Sequence, residues 1–517
     1  MAKAKHVIIM GIDGLRPDMV KAEWMPNLAA LSARGVVSKQ HRTVFPSETR
    51  GALTALATGS RPSTNGILGN EFYSRDASGR LTQTDIIHHW RLGEQRLIGG
   101  MVTTPSLGET LAKSGKSFAV VTSSGPGSFT ALNWKGDALG HVGFNLRYPQ
   151  IAFPPALAAD ICALHAVPAD GFDRGVQRET VEIFTRTVWP ARRPDASIIW
   201  ITELDSASHC YGLGAPEMLL AMKRCDEAVG DLVDWRDRQP SRDNIAIVIT
   251  SDHGHSTAGT VFSIDETFKS AGIKAGRAFQ DDVDVLYRNG RAPGIWLRKF
   301  DKGLLQGVFD VLHEQDWFGA TFSRAAEKGT HEGLIPGTLA IELTGTGHMR
   351  APDLYVNLRG DNSRNAHGIP GTSYYETAEV GAPTGLGTHG GLHATELAAV
   401  LICEGAGFRR SAEIESRTGI YDIAPTALHL LGIDASPYMT GRILREVLDG
   451  ETTQVGLVQE EYTSTTGGKT SRLSLTRIGN RHYVDEADLV FESTDGRQKG
   501  TPWSTVHAPS DVQPEPV

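Results

Sequence analysis

Short, unbroken apolar runs recur along the chain, each halted by glycine, serine or a charged residue. The first, His6 to Met10, runs into Gly11-Ile12-Asp13-Gly14. Ser117 to Thr122 (SFAVVT) gives way to Ser123-Ser124-Gly125-Pro126-Gly127, and Ser197 to Thr202 (SIIWIT) to Glu203-Leu204-Asp205. Asn244 to Thr250 (NIAIVIT) ends in Ser251-Asp252-His253-Gly254-His255. Runs of this length without polar alternation predict strands covered on both faces, as in parallel sheets. Helical stretches separate them, among them Leu28 to Arg34, closed by Gly35, and the amphipathic Arg178 to Val188. The expected fold class is α/β: a doubly wound, mostly parallel sheet with helices on both faces. Ligands of such sheets bind beyond the strands' carboxyl ends. Asp13, Asp205 and Asp252 all fall at that edge.

The pattern changes after His255. From Ser256 to about Gly385 it is irregular and glycine-rich, with one expected strand at Leu354 to Leu358, and reads as an inserted cap region. Gly387-Thr388-His389-Gly390-Gly391 then precedes an apolar strand, Leu397 to Cys403. Asp422-Ile423-Ala424-Pro425-Thr426 opens a helix through Leu431, with Gly432 as its stop. The expected organisation is a core of residues 1–255 and 386–450, a cap of 256–385 and a C-terminal extension of 451–517. In the extension, Leu473 to Ile478 and His482 to Val484 are expected to pair as a hairpin, and HAPSDVQPEPV to be a loose tail.

One stretch, His41 to Tyr73, combines all these signals. Thr43-Val44-Phe45 reads as a strand, Pro46-Ser47 as a break, and Leu53 to Ala57 as helix. Thr49 sits at the junction, where the free N–H groups of a helix start favour an anion. Ser47 or Thr49 acting as a plain helix cap is the competing reading.

Composition narrows the classes. At 517 residues the chain is long enough for one large core carrying an insertion. A net charge of −9 and the lack of a Lys/Arg-dense run argue against binding a nucleic-acid polymer. Cys162, Cys210, Cys225 and Cys403 are scattered and read as free thiols of a reducing compartment. MAKAKHVIIMGIDG enters a strand at once, and no apolar run approaches the ~18 residues of a membrane span, so the expected location is cytoplasmic, away from membranes. A homo-oligomer is left open.

Candidate metal ligands follow the strand ends. Asp205-x-x-x-His209 puts two ligands on one face of a helical turn, and Asp252-His253 places two more just past a strand. His88-His89 is a further pair and reads as solvated. Taken with Asp13, Thr49 and the Gly-Thr-His-Gly turn at His389, the sequence resembles the alkaline phosphatase superfamily, in its nucleotide pyrophosphatase/phosphodiesterase branch. The resemblance runs from His6 to about Arg442. It rests on Gly11-Ile12-Asp13-Gly14, Pro46-Ser47-Glu48-Thr49, Thr58-Gly59, Gly66-Ile67-Leu68-Gly69-Asn70, Asp205-x-x-x-His209, Ser251-Asp252-His253-Gly254, His389-Gly390-Gly391 and Asp422-Ile423-Ala424-Pro425-Thr426, in that order.

The resemblance implies two zinc ions, one held by Asp205, His209 and His389, the other by Asp13, Asp252 and His253 with Thr49 as nucleophilic ligand. Mn²⁺ or another divalent ion could replace zinc with such O/N ligands. Two ions ~4 Å apart serve the attacking and leaving oxygens of an in-line displacement, and Asn70 matches the family asparagine that holds a phosphoryl oxygen. The implied activity is phosphodiester hydrolysis through a phosphothreonyl intermediate, on a small-molecule phosphate ester or phosphonate. Two features depart from the branch. Arg50-Gly51-Ala52-Leu53 stands where an aromatic residue and Pro-Asn-His often follow the nucleophile, which puts a base-stacking pocket in doubt. The Ser123 to Phe129 segment lacks the cation by which monoesterases hold a dianion, which favours a singly charged phosphoryl group. The alternatives are phosphonate C–P hydrolysis of the phosphonoacetate hydrolase type, phosphomonoester hydrolysis, and a non-catalytic metal-binding protein. The formylglycine signature of sulfatases is not present around Thr49.

Overall fold

Eight strands build the central sheet: β1 (His6–Ile12), β2 (Val36–Ser38), β3 (Phe118–Thr122), β4 (Val142–Asn145), β5 (Ala196–Ile201), β6 (Ile245–Thr250), β7 (Leu401–Gly405) and β8 (Ala412–Ile414). The structure, a computed structural model, describes residues 3–76, 80–165, 176–280, 282–377, 383–451 and 454–491. The strands lie in the order β8-β2-β7-β6-β1-β5-β3-β4, and β7 alone runs against its neighbours. The mostly parallel sheet expected from the apolar runs is what forms.

Both faces are covered because the runs have no polar alternation. Every residue of β3, β5 and β6 is buried. Val7 and Ile9 of β1 face helix α1 (Thr49–Thr58) through Ala52, Leu53 and Leu56. Ile8, Met10 and Ile12 face the opposite layer, where α3 (Pro216–Asp237) contributes Met218, Met222, Cys225, Val229 and Leu232. Helix α2 (Glu203–Tyr211) follows directly on β5.

Register levels the working edge. Ile12 pairs with Ile201 on one side of β1, and Gly11 with Thr250 on the other, so the three central strands end together. Glycine is required at position 11, since a Cβ there would lie 1.9 Å from the Trp200 ring. That ring crosses β1 to donate its Nε1–H to Asp13 Oδ2 at 3.1 Å.

Some local expectations change. Thr43–Phe45 is not a strand; pairing stops at His41–Arg42, against Thr418–Gly419. Phe45 instead turns into a cluster with Phe322 and Tyr355. The run from Leu397 begins as the last residue of a short helix, Ala394–Leu397, before β7 starts at Leu401. Residues Phe184–Val188 form a π-helical turn beyond the helix Val176–Ile183.

The irregular region is ordered into sheets. Ser256–Phe262, Gly360–Arg364, Pro370–Glu376 and Gly387–Thr388 form one of four strands. Short strands between Ala275 and Val356 form another of six, backed by the helices Ile264–Ser270 and Lys302–His313. The expected C-terminal hairpin is the second half of a meander, Leu457–Thr466, Lys469–Ile478 and Arg481–Phe491. Its Leu473, Leu475, Val484 and Ala487 pack with Phe322 and Tyr355 of the six-stranded sheet. The expected tail lies outside the described residues.

Candidate metal centre

The level strand ends set the site. Asp13 follows β1, Asp205 and His209 occupy successive turns of α2, and Asp252, His253 and His255 follow β6. Gly254 permits this last cluster, because a Cβ there would meet the Thr395 carbonyl oxygen at 2.1 Å. His389 arrives from the far side, just past the strand Gly387–Thr388.

Two groups of ligand atoms emerge, each within 4.8 Å of one another: Asp13, Asp252 and His253, and Asp205, His253, His255 and His389. His253 Nε2 lies 3.5 Å from Asp13 Oδ1 and 3.2 Å from Asp252 Oδ2. Asp205 Oδ1 has three imidazoles around it, with Nε2 of His255 at 3.1 Å, of His209 at 3.3 Å and of His389 at 3.6 Å. The structure thus brings together all seven residues expected to hold metal. It adds His255, whose position in the same strand-end pentapeptide was the signal.

Hydrogen bonds fix the rings. Nδ1 of His209 faces the Gly387 carbonyl at 2.8 Å, of His253 the Gly254 carbonyl at 3.0 Å, of His255 the Gly14 carbonyl at 3.1 Å and of His389 the Ser47 carbonyl at 2.7 Å. A carbonyl only accepts, so each Nδ1 carries a proton, and each ring in its neutral form turns the Nε2 lone pair inward. Meanwhile Asp13 Oδ1, Asp205 Oδ1, Asp252 Oδ2 and His255 Nε2 are buried without hydrogen-bond partners. Buried orphaned acceptors facing one another are costly unless a cation sits between them. The donor set fits two divalent ions.

The electrostatics agree. Burial, reinforced by the charges of Asp252 and Asp205, holds Asp13 well above the usual carboxylate range. Burial likewise raises Asp252 to about 7, against a hydrogen bond from the Gly14 N–H. Burial lowers His253 to about 3. For Asp205 burial acts upward too, but the surrounding imidazoles, His209 foremost, outweigh it and hold the group well below its ordinary value. Three carboxylates share one dry space with positive charge from no lysine or arginine ion pair of their own among the described residues.

Thr49 and Ser47 are now distinguishable. Thr49 is the first residue of α1, and its Oγ1 lies 3.2 Å from His253 Nε2. Ser47 Oγ is committed elsewhere, donating to the Gly391 carbonyl at 2.8 Å and accepting from Gly390 N at 3.0 Å. It ties down the turn that carries His389. Neither residue caps the helix; Glu48 holds that position, without a side-chain cap bond. The Glu48 carboxylate instead accepts from Arg288 Nη1 at 2.7 and 2.8 Å and from Asn70 N at 2.5 Å. Asn70 Oδ1 accepts from Arg50 N at 3.2 Å, which fixes the orientation of its amide beside Thr49. Of the histidine pair set aside earlier, His88 is exposed and His89 Nδ1 accepts from Gln83 N, away from the centre.

Known proteins carry the same organisation. A venom phosphodiesterase of Crotalus durissus collilineatus is 22% identical over 63% of this chain and 35% of its own. Ectonucleotide pyrophosphatase/phosphodiesterase family member 7 of Mus musculus is 25% identical over 60% of this chain and 62% of its own. The chain therefore spans about a third of the venom enzyme's length. The structure of murine ectonucleotide pyrophosphatase/phosphodiesterase 5 overlaps 86% of this chain and all of its own, with a TM-score of 0.59 at 17% identity. So does an inactive Thr-to-Ala variant of that protein in complex with AMP. The three core sheet strands that carry ligands lie within or beside residues 7–316, which match the type I phosphodiesterase/nucleotide pyrophosphatase family, and the chain belongs to that family.

Proposed function

We propose that the chain hydrolyses phosphodiesters or related singly charged phosphoryl compounds, with Thr49 as nucleophile. The observation that carries this is the Thr49 hydroxyl at a buried helix start, against inward-facing ligands for two divalent ions. An inactive Thr-to-Ala form of the murine relative supports a threonine in that role. Bound ions would supply positive charge for the attacking hydroxyl and the departing oxygen.

The chain's own residues do the rest. Thr49 Oγ1 attacks phosphorus as the bond to the leaving alcohol breaks, and the alcohol takes up a proton. Water then attacks the phosphothreonine, Thr49 Oγ1 leaves and regains its proton, and a phosphomonoester departs. With its Oδ1 held by Arg50 N, Asn70 keeps Nδ2–H to donate to a phosphoryl oxygen; removal of one such donor typically costs about 2.7–4 kcal/mol.

The surroundings narrow the substrate. Arg147, two residues past β4, pairs with Glu203 at 3.0 Å. The guanidinium of Arg50 donates Nε–H to Thr84 Oγ1 at 3.3 Å and forms no ion pair among the described residues. Burial draws its pKa below the ordinary arginine value, with Asp85 the first of the acidic charges to oppose this. Such a group next to the nucleophile suits a diester whose substituent is anionic better than one read by base stacking. The expected kcat/KM for bis-p-nitrophenyl phosphate exceeds that for p-nitrophenyl phosphate by at least ~10-fold, about 1.4 kcal/mol. Equal or reversed values would show that Arg50 serves a monoester dianion, and the diester reading would fall. Preferential turnover of phosphonoacetate would move the assignment to C–P hydrolysis.

A further inference from the structure

We propose that His255 is a fourth protein ligand of the ion on the Asp205 side, so that this half of the centre is firmly held. The inference rests on the two-ion reading above. It adds a residue that neither the ligand set implied by the sequence resemblance nor the proposed reaction uses.

His255 is built like the three expected histidine ligands. Its ring is fully buried, and its Nδ1–H is spent on the Gly14 carbonyl at 3.1 Å. In its neutral form the ring presents a lone pair at Nε2, which has no partner and lies 3.1 Å from the equally unpartnered Asp205 Oδ1. Two lone pairs so close in a dry space repel. A single proton could relieve this pair, but not the other two, since His209 Nε2 and His389 Nε2 face the same oxygen at 3.3 and 3.6 Å. One divalent ion relieves all three contacts at once.

The backbone is shaped to keep the ring there. Gly14 has φ of +71°, and a Cβ on it would lie 2.3 Å from His255 Cε1 and 3.2 Å from Asp205 Cβ. The turn after β1 thus passes over the imidazole with no room for a side chain. Asp205, His209, His255 and His389 offer four N/O ligands, to which substrate or water can still add in a five-coordinate ion. Asp13, Asp252 and His253 supply three, which leaves a position beside Thr49. The two ions should then differ, with the Asp205-side ion retained and the other exchangeable.

The test is zinc titration of the metal-stripped protein by calorimetry, comparing wild type with His255→Gln and His255→Met. Glutamine keeps a hydrogen-bond donor for Asp205, so a residue that merely orients that carboxylate would tolerate it. Loss of an outer partner costs 10–100-fold in affinity. Loss of a ligand should weaken one of the two sites by more than ~100-fold in both variants and leave the other unchanged. In the zinc-loaded wild-type crystal structure, His255 Nε2 should lie ~2.0–2.1 Å from an ion. Two sites of unchanged affinity in His255→Gln, or an ion held by Asp205, His209 and His389 with His255 Nε2 beyond contact, would overturn the assignment while sparing the two-ion centre. A wild-type protein that binds fewer than two ions would instead overturn the two-ion reading itself.

Discussion

The two halves of the centre are made of different material. Around Asp13 there are two carboxylates and one imidazole, with side chains 2% exposed or less. Around Asp205 there is one carboxylate and three imidazoles, and His209 is 41% exposed, so the centre opens on that side. The first half concentrates negative charge where water cannot screen it and sits beside Thr49. The second half concentrates neutral nitrogen donors. Carboxylate-rich sites suit harder ions such as Mn²⁺, whereas imidazole suits zinc. One centre can thus divide its work between a half that meets the nucleophile and a half that anchors.

The hardest blow to this division is Thr49→Ala. It should lower turnover by about four orders of magnitude or more while elemental analysis still finds two ions per chain. Loss of an ion together with activity would mean that the hydroxyl is needed to hold the metal rather than to react. Next is Asp13→Asn, which should reduce metal content from two ions to about one, because an amide replaces an anionic ligand in the dry half. If content stays at two, the carboxylate half is not a separate site.

A smaller effect is expected at Ser47, outside either half. Ser47→Ala breaks two buried hydrogen bonds to Gly390 and Gly391. It should cost about 1–3 kcal/mol in stability and only a few-fold in turnover. A loss comparable with that of Thr49→Ala would reopen the choice of nucleophile.

The smallest test separates the centre's pH response from that of the inserted region. Burial raises Glu376 to about 7, partly offset by hydrogen bonds from the Ile264 and Gly290 N–H groups. A carboxyl with a raised folded pKa binds its proton more tightly when folded, so this stability contribution is present at low pH and lost as pH rises from about 4.5 through about 7. Glu376→Gln should flatten that part of the thermal-stability profile, measured in the metal-loaded protein. An unchanged slope would place the response elsewhere.

Much of the centre was legible because its residues sit at the ends of unmistakable strands. Asp13, Asp205 and Asp252 fall on one edge from the sequence alone, since parallel strands of nearly equal length that start level also end level. His255 was in view yet unassigned, because nothing in a one-dimensional pattern shows that Gly254 lies against the Thr395 carbonyl and sends the next ring inward. The sheets between Ser256 and Thr388 were hidden for another reason. Their strands are mostly two to five residues long, too short to show a period, and pair across long separations in sequence. The first strand of the C-terminal meander, Leu457–Thr466, has no buried position and so no apolar signal. Thr43–Phe45 misled because a β-branched and aromatic run can also be three residues reaching into a neighbouring cluster.

Arg288 lies in the glycine-rich stretch after His255, and Glu48 directly precedes Thr49; the two are buried together, with Asn70 N as the third member. Without Arg288, the buried Glu48 carboxylate would keep only the Asn70 N–H as partner, next to Thr49. The segment that leads into Thr49 is therefore completed by a guanidinium from 240 residues further along the chain, and neither part can be altered without regard to the other.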